Sequence, residues 1–150
     1  VMLSFIKLLN EEITLTGDEV TQLSNAYEEM GLDIEWGEED LNRLLEWLNN
    51  LPQTLTLYRL LYLHEGEEID TDQLGDHYSD NKKELLYNHY NKGSIYSEAG
   101  DKVVLITVGV NKDQIDIFNT LHNNIYYPHE QEITLNNKGK GTTLIDIKSL

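Results

Sequence analysis

The sequence predicts an α+β protein with a mainly antiparallel or mixed sheet, preceded by an N-terminal helical segment. Three observations carry this prediction. Apolar residues recur at helical spacing as far as Pro52, and beyond Pro52 the period drops to two. Val103-Val104-Leu105-Ile106-Thr107-Val108-Gly109-Val110 is a continuous, β-branched apolar run, the pattern of a central strand buried on both faces. Helices followed by about five or six strands around one further helix is the α+β order, not βαβ alternation. The expected organisation is a leader or frayed helix over 1–15, a helical segment over 16–53 and a sheet domain over 54–150.

Composition narrows the function classes. The chain has 150 residues, is 39% hydrophobic and carries a formal net charge of -16. Residues 1–53 hold 12 acids and 2 bases, and residues 54–150 hold 15 acids and 9 bases. A field of that sign repels nucleic acid and anionic membrane surfaces, so neither is expected as a partner. An anionic substrate then needs a locally basic pocket. With no cysteine there is no disulfide framework and no thiolate metal site, which suits a reducing compartment. No His cluster has metal-ligand spacing, so no metal is expected. No apolar run is long enough to span a bilayer, and the opening residues lack the basic region and small-residue cleavage site of a signal peptide.

Taken in order, Leu3, Phe5, Ile6, Leu8 and Leu9 make a short amphipathic stretch. Thr16-Gly17-Asp18-Glu19 reads as a capping box opening a helix, with Val20, Leu23, Tyr27 and Met30 following at helical spacing and Gly31 as its stop. A second helix is expected from Glu38-Glu39-Asp40, where acids suit the positive dipole end, with Leu41, Leu44, Leu45 and Leu48 on one face. Trp36 and Trp47 are expected to pin this pair onto the remainder.

In Thr54–Leu63 one strand face carries Leu55, Leu57, Arg59, Leu61 and Leu63. An arginine among leucines is costly unless its guanidinium meets an anion. Two partners fit: a buried carboxylate, or a ligand phosphate or carboxylate matched by the guanidinium fork. After a polar, acidic loop, Gly75-Asp76-His77-Tyr78-Ser79-Asp80 leads into a helix reaching about Asn91, with Ser79 as its expected cap and Leu86, His89 and Tyr90 inward. Lys82 and Lys83 sit in its first turn, against the dipole, where a nearby anion or plain solvent would accommodate them. His77 stands alone and reads as a pocket-wall or core residue.

Ser94-Ile95-Tyr96 is a short strand and residues 97–101 a turn. Residues 111–124 are ambiguous, anchored by Ile115, Ile117, Phe118 and Leu121. Tyr127-Pro128-His129-Glu130-Gln131-Glu132-Ile133-Thr134-Leu135 then alternates, with Glu130, Glu132 and Thr134 on one face and Gln131, Ile133 and Leu135 on the other. Two carboxylates on one face are either solvated or assigned to chemistry, one stabilising a cation and the other handling a proton. A glycine-rich turn, 136–141, precedes a last strand at Thr142–Ile147.

A strand Tyr58-Arg59, the Gly75-Asp76-His77-Tyr78-Ser79 run and the Glu130-Gln131-Glu132 strand occur in the order of the Arg…Ser…Glu-x-Glu mono-ADP-ribosyltransferases of binary toxins and phages, which residues 54–147 resemble. The resemblance implies the sheet of that family, NAD as substrate and a protein acceptor. It implies that Arg59 holds the NAD phosphates and that Ser79 shapes the nicotinamide pocket, with His77 and Tyr78 beside it in the cofactor-binding group. By the same resemblance Glu132 stabilises the oxocarbenium ion, Glu130 deprotonates an arginine acceptor, and Tyr126 and Tyr127 lie in the target-recognition loop. The family's Ser-Thr-Ser is here Tyr78-Ser79-Asp80, and little chain separates Arg59 from Ser79. A domain of this type that has lost catalysis and serves in binding or in a virion is the alternative. A hydrolase using Glu130 and Glu132 as an acid/base pair fits worse, because same-strand neighbours lack the opposed geometry glycosidases need. The first residues also resemble a tailed-phage capsid-targeting leader, with Leu9-Asn10-Glu11 matching its apolar-x-Glu cleavage triplet. That resemblance implies a protein packaged in a phage virion or acting in the host cytoplasm.

Overall fold

The computed structural model describes residues 13, 15–87, 102–128 and 131–150. The leader triplet, the strand at 94–96, His89, Tyr90 and Glu130 lie outside the described residues. The described elements, in chain order, are helices α1 (Gly17–Glu29) and α2 (Ile34–Asn49), strands β1 (Thr54–Leu63) and β2 (His77–Ser79), and helix α3 (Lys82–Leu85). They continue with strand β3 (Lys102–Asn111), helix α4 (Ile117–Tyr126) and strands β4 (Glu132–Thr134) and β5 (Thr143–Ser149). The chain divides into a helical unit, residues 1–52 with 117–129, and a sheet unit, residues 53–116 with 130–150. Residues 117–129 group with the helices and not with the sheet.

In the helical unit, α1 starts as read. The Thr16 hydroxyl accepts from the Glu19 amide and the Glu19 carboxylate accepts from the Thr16 amide. Gly31, at φ +72°, takes the left-handed position past the helix end. The second helix begins earlier than its acidic run suggests. Asp33 caps it by accepting from the Trp36 amide, and Glu38, Glu39 and Asp40 lie one turn inside. Leu23, Ala26 and Tyr27 pack with Leu41, Leu44, Leu45 and Leu48 and with Leu121 and Ile125 of α4. Each such leucine contributes roughly 1.5–3 kcal/mol through burial. Trp36 remains exposed, its ring meeting Tyr27 edge-on at 6.3 Å, and Trp47 is partly buried against the same core.

Among the polar residues buried in these helices, Asp40 is the charged one, alongside Ser24, Thr120 and Asn124. Asp40 accepts from the Tyr27 hydroxyl at 2.8 Å and from the Arg43 guanidinium at 2.8 Å. Burial first, then the Asp40 charge and hydrogen bond, raises the Tyr27 phenol far above its ordinary pKa, so it stays a donor. Asp40→Ala leaves the buried hydroxyl without its acceptor and is expected to cost about 1–3 kcal/mol in urea unfolding. Tyr27→Phe removes the donor instead and is expected to cost less. Equal costs would contradict this account.

In the sheet unit the strand order is β4-β2-β1-β3-β5 and every pairing is antiparallel. Alternation sends Leu55, Leu57, Val104, Ile106, Val108, Val110, Tyr78 and Ile133 to one buried face. Strand β3, expected to be central, lies beside the central strand β1 and departs from its expected double burial: Leu105 is buried on the second face, but Val103, Thr107 and Gly109 are only half-buried. A sheet partly open on one face leaves room there for a cleft.

Candidate active site

The cleft lies on the half-open face. The cross-strand register pairs Tyr58 with Ser79 and Ser79 with Glu132, so three neighbouring strands place these side chains in one row. Tyr58, Leu60, Tyr62, His77, Ser79, Leu85 and Glu132 line a cleft of about 280 Å³, with Arg59 and Tyr78 also contributing to its wall. Sequence reading missed Tyr58, Leu60 and Tyr62, although their recurrence every second residue was the available signal.

His77 sits at the centre of the polar end. Its Nε2 is 3.4 Å from Asp76 Oδ1 and its Nδ1 is 3.6 Å from Glu132 Oε2, with the Thr134 hydroxyl 3.4 Å from Nδ1. It is a pocket-wall residue, one of the two roles its isolation allowed. The Glu132 side chain is about one-third exposed (34%), so it faces the cleft without being fully solvated.

Arg59 occupies the leucine face, as its alternation requires, and its guanidinium reaches across to the neighbouring strand β2. It donates to the His77 carbonyl at 3.3 Å and lies over the Tyr78 ring at 5.9 Å from the centroid. Among the described residues its partners are thus a carbonyl and an aromatic face, not the buried carboxylate that was one expectation. Gly75, at φ +91°, permits this approach, since a Cβ there would lie 2.7 Å from Arg59 Cζ. Tyr78 is almost fully buried and donates to the Gly75 carbonyl at 3.1 Å. Its phenol is raised chiefly by burial, against the lowering effect of Arg59.

Ser79 does not cap the following helix. Its Oγ donates to the Asn81 carbonyl at 3.2 Å and accepts from the Asn81 amide at 3.1 Å, closing a local turn. The cap is Asn81, whose side chain accepts from the Glu84 amide. Competition between the two polar residues is settled by β2, which keeps Ser79 extended and two residues short of the helix.

Ile133 and Leu135 are buried as their alternation predicts. Gln131, however, has φ +45°, and the strand is described from Glu132 onward. Tyr126 and Tyr127 fall in the helical unit. Tyr126 ends α4 and donates to the Glu29 carboxylate, while Tyr127 is exposed. Among the described residues no group of three or more His, Asp or Glu could hold a metal ion, and no helix is long and apolar enough to cross a membrane.

No protein-family model matches the chain, and no match was found among curated proteins or solved structures.

Proposed function

We propose that the sheet unit is an NAD-dependent mono-ADP-ribosyltransferase that modifies a protein side chain, with arginine as the acceptor. The observation that carries this reading is that Ser79 and Glu132 stand side by side on adjacent strands in one cleft, whose wall Arg59 joins from the opposite face of β1. In the reaction the bond between nicotinamide and its ribose breaks and the electron pair leaves with nicotinamide. Positive charge develops at the anomeric carbon, where the Glu132 carboxylate opposes it. Glu130 takes a proton from the acceptor nitrogen as that nitrogen bonds the same carbon. Arg59 carries five N–H donors, one of which the His77 carbonyl occupies, and the guanidinium supplies positive charge for a pyrophosphate in an otherwise acidic chain. Tyr58 and Tyr62 offer aromatic walls for a planar ring.

A second reading has its own observation. The Ser79 hydroxyl is committed in both directions to Asn81, and Arg59 is held at the core face, as in a transferase-like domain retained for binding alone. Titrating NAD by calorimetry while following nicotinamide release by chromatography separates the two. Binding with release supports the transferase. Binding without release, at any acceptor tried, or no NAD binding at all, overturns the transferase and supports the second reading.

A further inference from the structure

Strand β5 is the edge of the sheet among the described residues, and its residues Ile145, Asp146, Ile147, Lys148 and Ser149 are all exposed. Ile145 is 58% and Ile147 40% exposed, an unusual outlay of β-branched surface on a strand. The backbone adds a second feature. The Leu150 amide donates to the Val103 carbonyl at 3.0 Å, which identifies Val103 and Leu150 as a hydrogen-bonded pair. Given the register Leu105 with Lys148 and Thr107 with Asp146, those two residues also point their N–H and C=O groups at β3. The N–H and C=O groups of Ile147 and Ser149 therefore point outward, away from the sheet.

We propose that this edge is a self-association surface, on which two copies of the chain pair antiparallel through β5 about a two-fold axis at Ile147. The sheet then runs continuously through the dimer. Charge complementarity selects a second copy as the occupant. In the antiparallel register centred on Ile147, Asp146 of one copy stands opposite Lys148 of the other, and the symmetry repeats the pair. Both residues lie on the same sheet face, since their partners Thr107 and Leu105 do. Because Ile147 presents its hydrogen-bonding groups outward, it forms the bonded pair at the axis. Asp146 and Lys148 then form the non-bonded pairs, where Cα atoms approach to roughly 4.5 Å and side chains are closest. The Ile147 side chains meet at the axis on the opposite face. An edge lysine and a bulge, here at Ile145 between the Thr107–Asp146 and Val108–Leu144 pairs, ordinarily discourage strand addition. A generic strand would leave Lys148 unmatched, whereas the chain's own β5 matches it. The net charge of -16 opposes association at long range, but screening to roughly 8 Å at physiological salt leaves the local pairs to decide it.

The contact is small, so the dimer is expected in the micromolar range. Sedimentation equilibrium of the full chain between about 5 and 500 µM should show the mass rising from 17.3 kDa toward twice that value. Lys148→Asp, which sets four acids together, should raise the dissociation constant at least about tenfold. Adding Asp146→Lys in the same chain reverses both charges and should restore dimerisation. Far-UV circular dichroism confirms that each variant is folded. A native chain that stays at monomer mass throughout overturns the proposal. So does dimerisation unaffected by Lys148→Asp, or a double variant that fails to recover.

Discussion

Glu132→Ala is expected to lower nicotinamide release from NAD by about 10²–10³-fold while leaving the fold intact. The size follows from the role proposed for the carboxylate. A fixed anion facing a developing oxocarbenium ion acts only in the transition state, so its loss falls on kcat more than on KM. Its position follows from the register with Ser79, which is set by the backbone of β2 and β4 and not by the carboxylate itself. The side chain is one-third exposed, so truncation opens no core cavity. Glu132→Gln is the sharper comparison, since the amide keeps the volume beside His77 and loses only the charge. Release unchanged in both variants would remove Glu132 from the chemistry. Glu130→Ala should behave differently, with transfer to a protein acceptor falling while slow hydrolysis of NAD persists. The same proportional loss of transfer and hydrolysis would contradict the separate roles.

Gly139→Ala is expected to be among the most destabilising single substitutions in the sheet unit, costing about 3 kcal/mol or more in urea denaturation. Two penalties combine. Gly139 has φ +76°, which L-residues adopt at a cost of about 1 kcal/mol. A Cβ would also fall within van der Waals overlap of the Gly75 carbonyl oxygen, 3.1 Å from its carbon, and backbone cannot swing aside as a side-chain tip can. That carbonyl accepts from Tyr78, and Gly75 makes room for Arg59, so the strain passes to the cleft wall. Gly17→Ala is the control: a Cβ there meets nothing within 4 Å, and the change should be neutral or slightly stabilising. A Gly139→Ala protein as stable as the control would show that the two loops separate freely.

The elements that a short stretch of sequence encodes were legible. The capping box at Thr16 and Glu19, the leucine face of α2, the change of period after Pro52 and the apolar run of β3 all depend on neighbours a few residues apart. Helix starts were less so. Asp33 precedes the acidic run at 38–40 and takes the cap first, and Asn81 takes it from Ser79. In both cases two polar residues compete, and the winner depends on where the preceding strand or turn releases the chain.

What the sequence alone determined is which residues share a face on each element, because period and polarity are properties of the local chain; how deeply a face is buried it did not, since Met30 is exposed and Val103, Thr107 and Gly109 are only half-buried. Which core an element enters was decided by tertiary structure. Helix α4 has an apolar face suited to either unit, and Leu121 and Ile125 complete the core of α1 and α2. The candidate site divides in the same way. Arg59 was marked by its misplacement among leucines, yet its contact with the His77 carbonyl exists only because β1 and β2 are neighbours. The row formed by Tyr58, Ser79 and Glu132 joins residues from three separate parts of the chain. No local pattern encodes that row; strand pairing creates it.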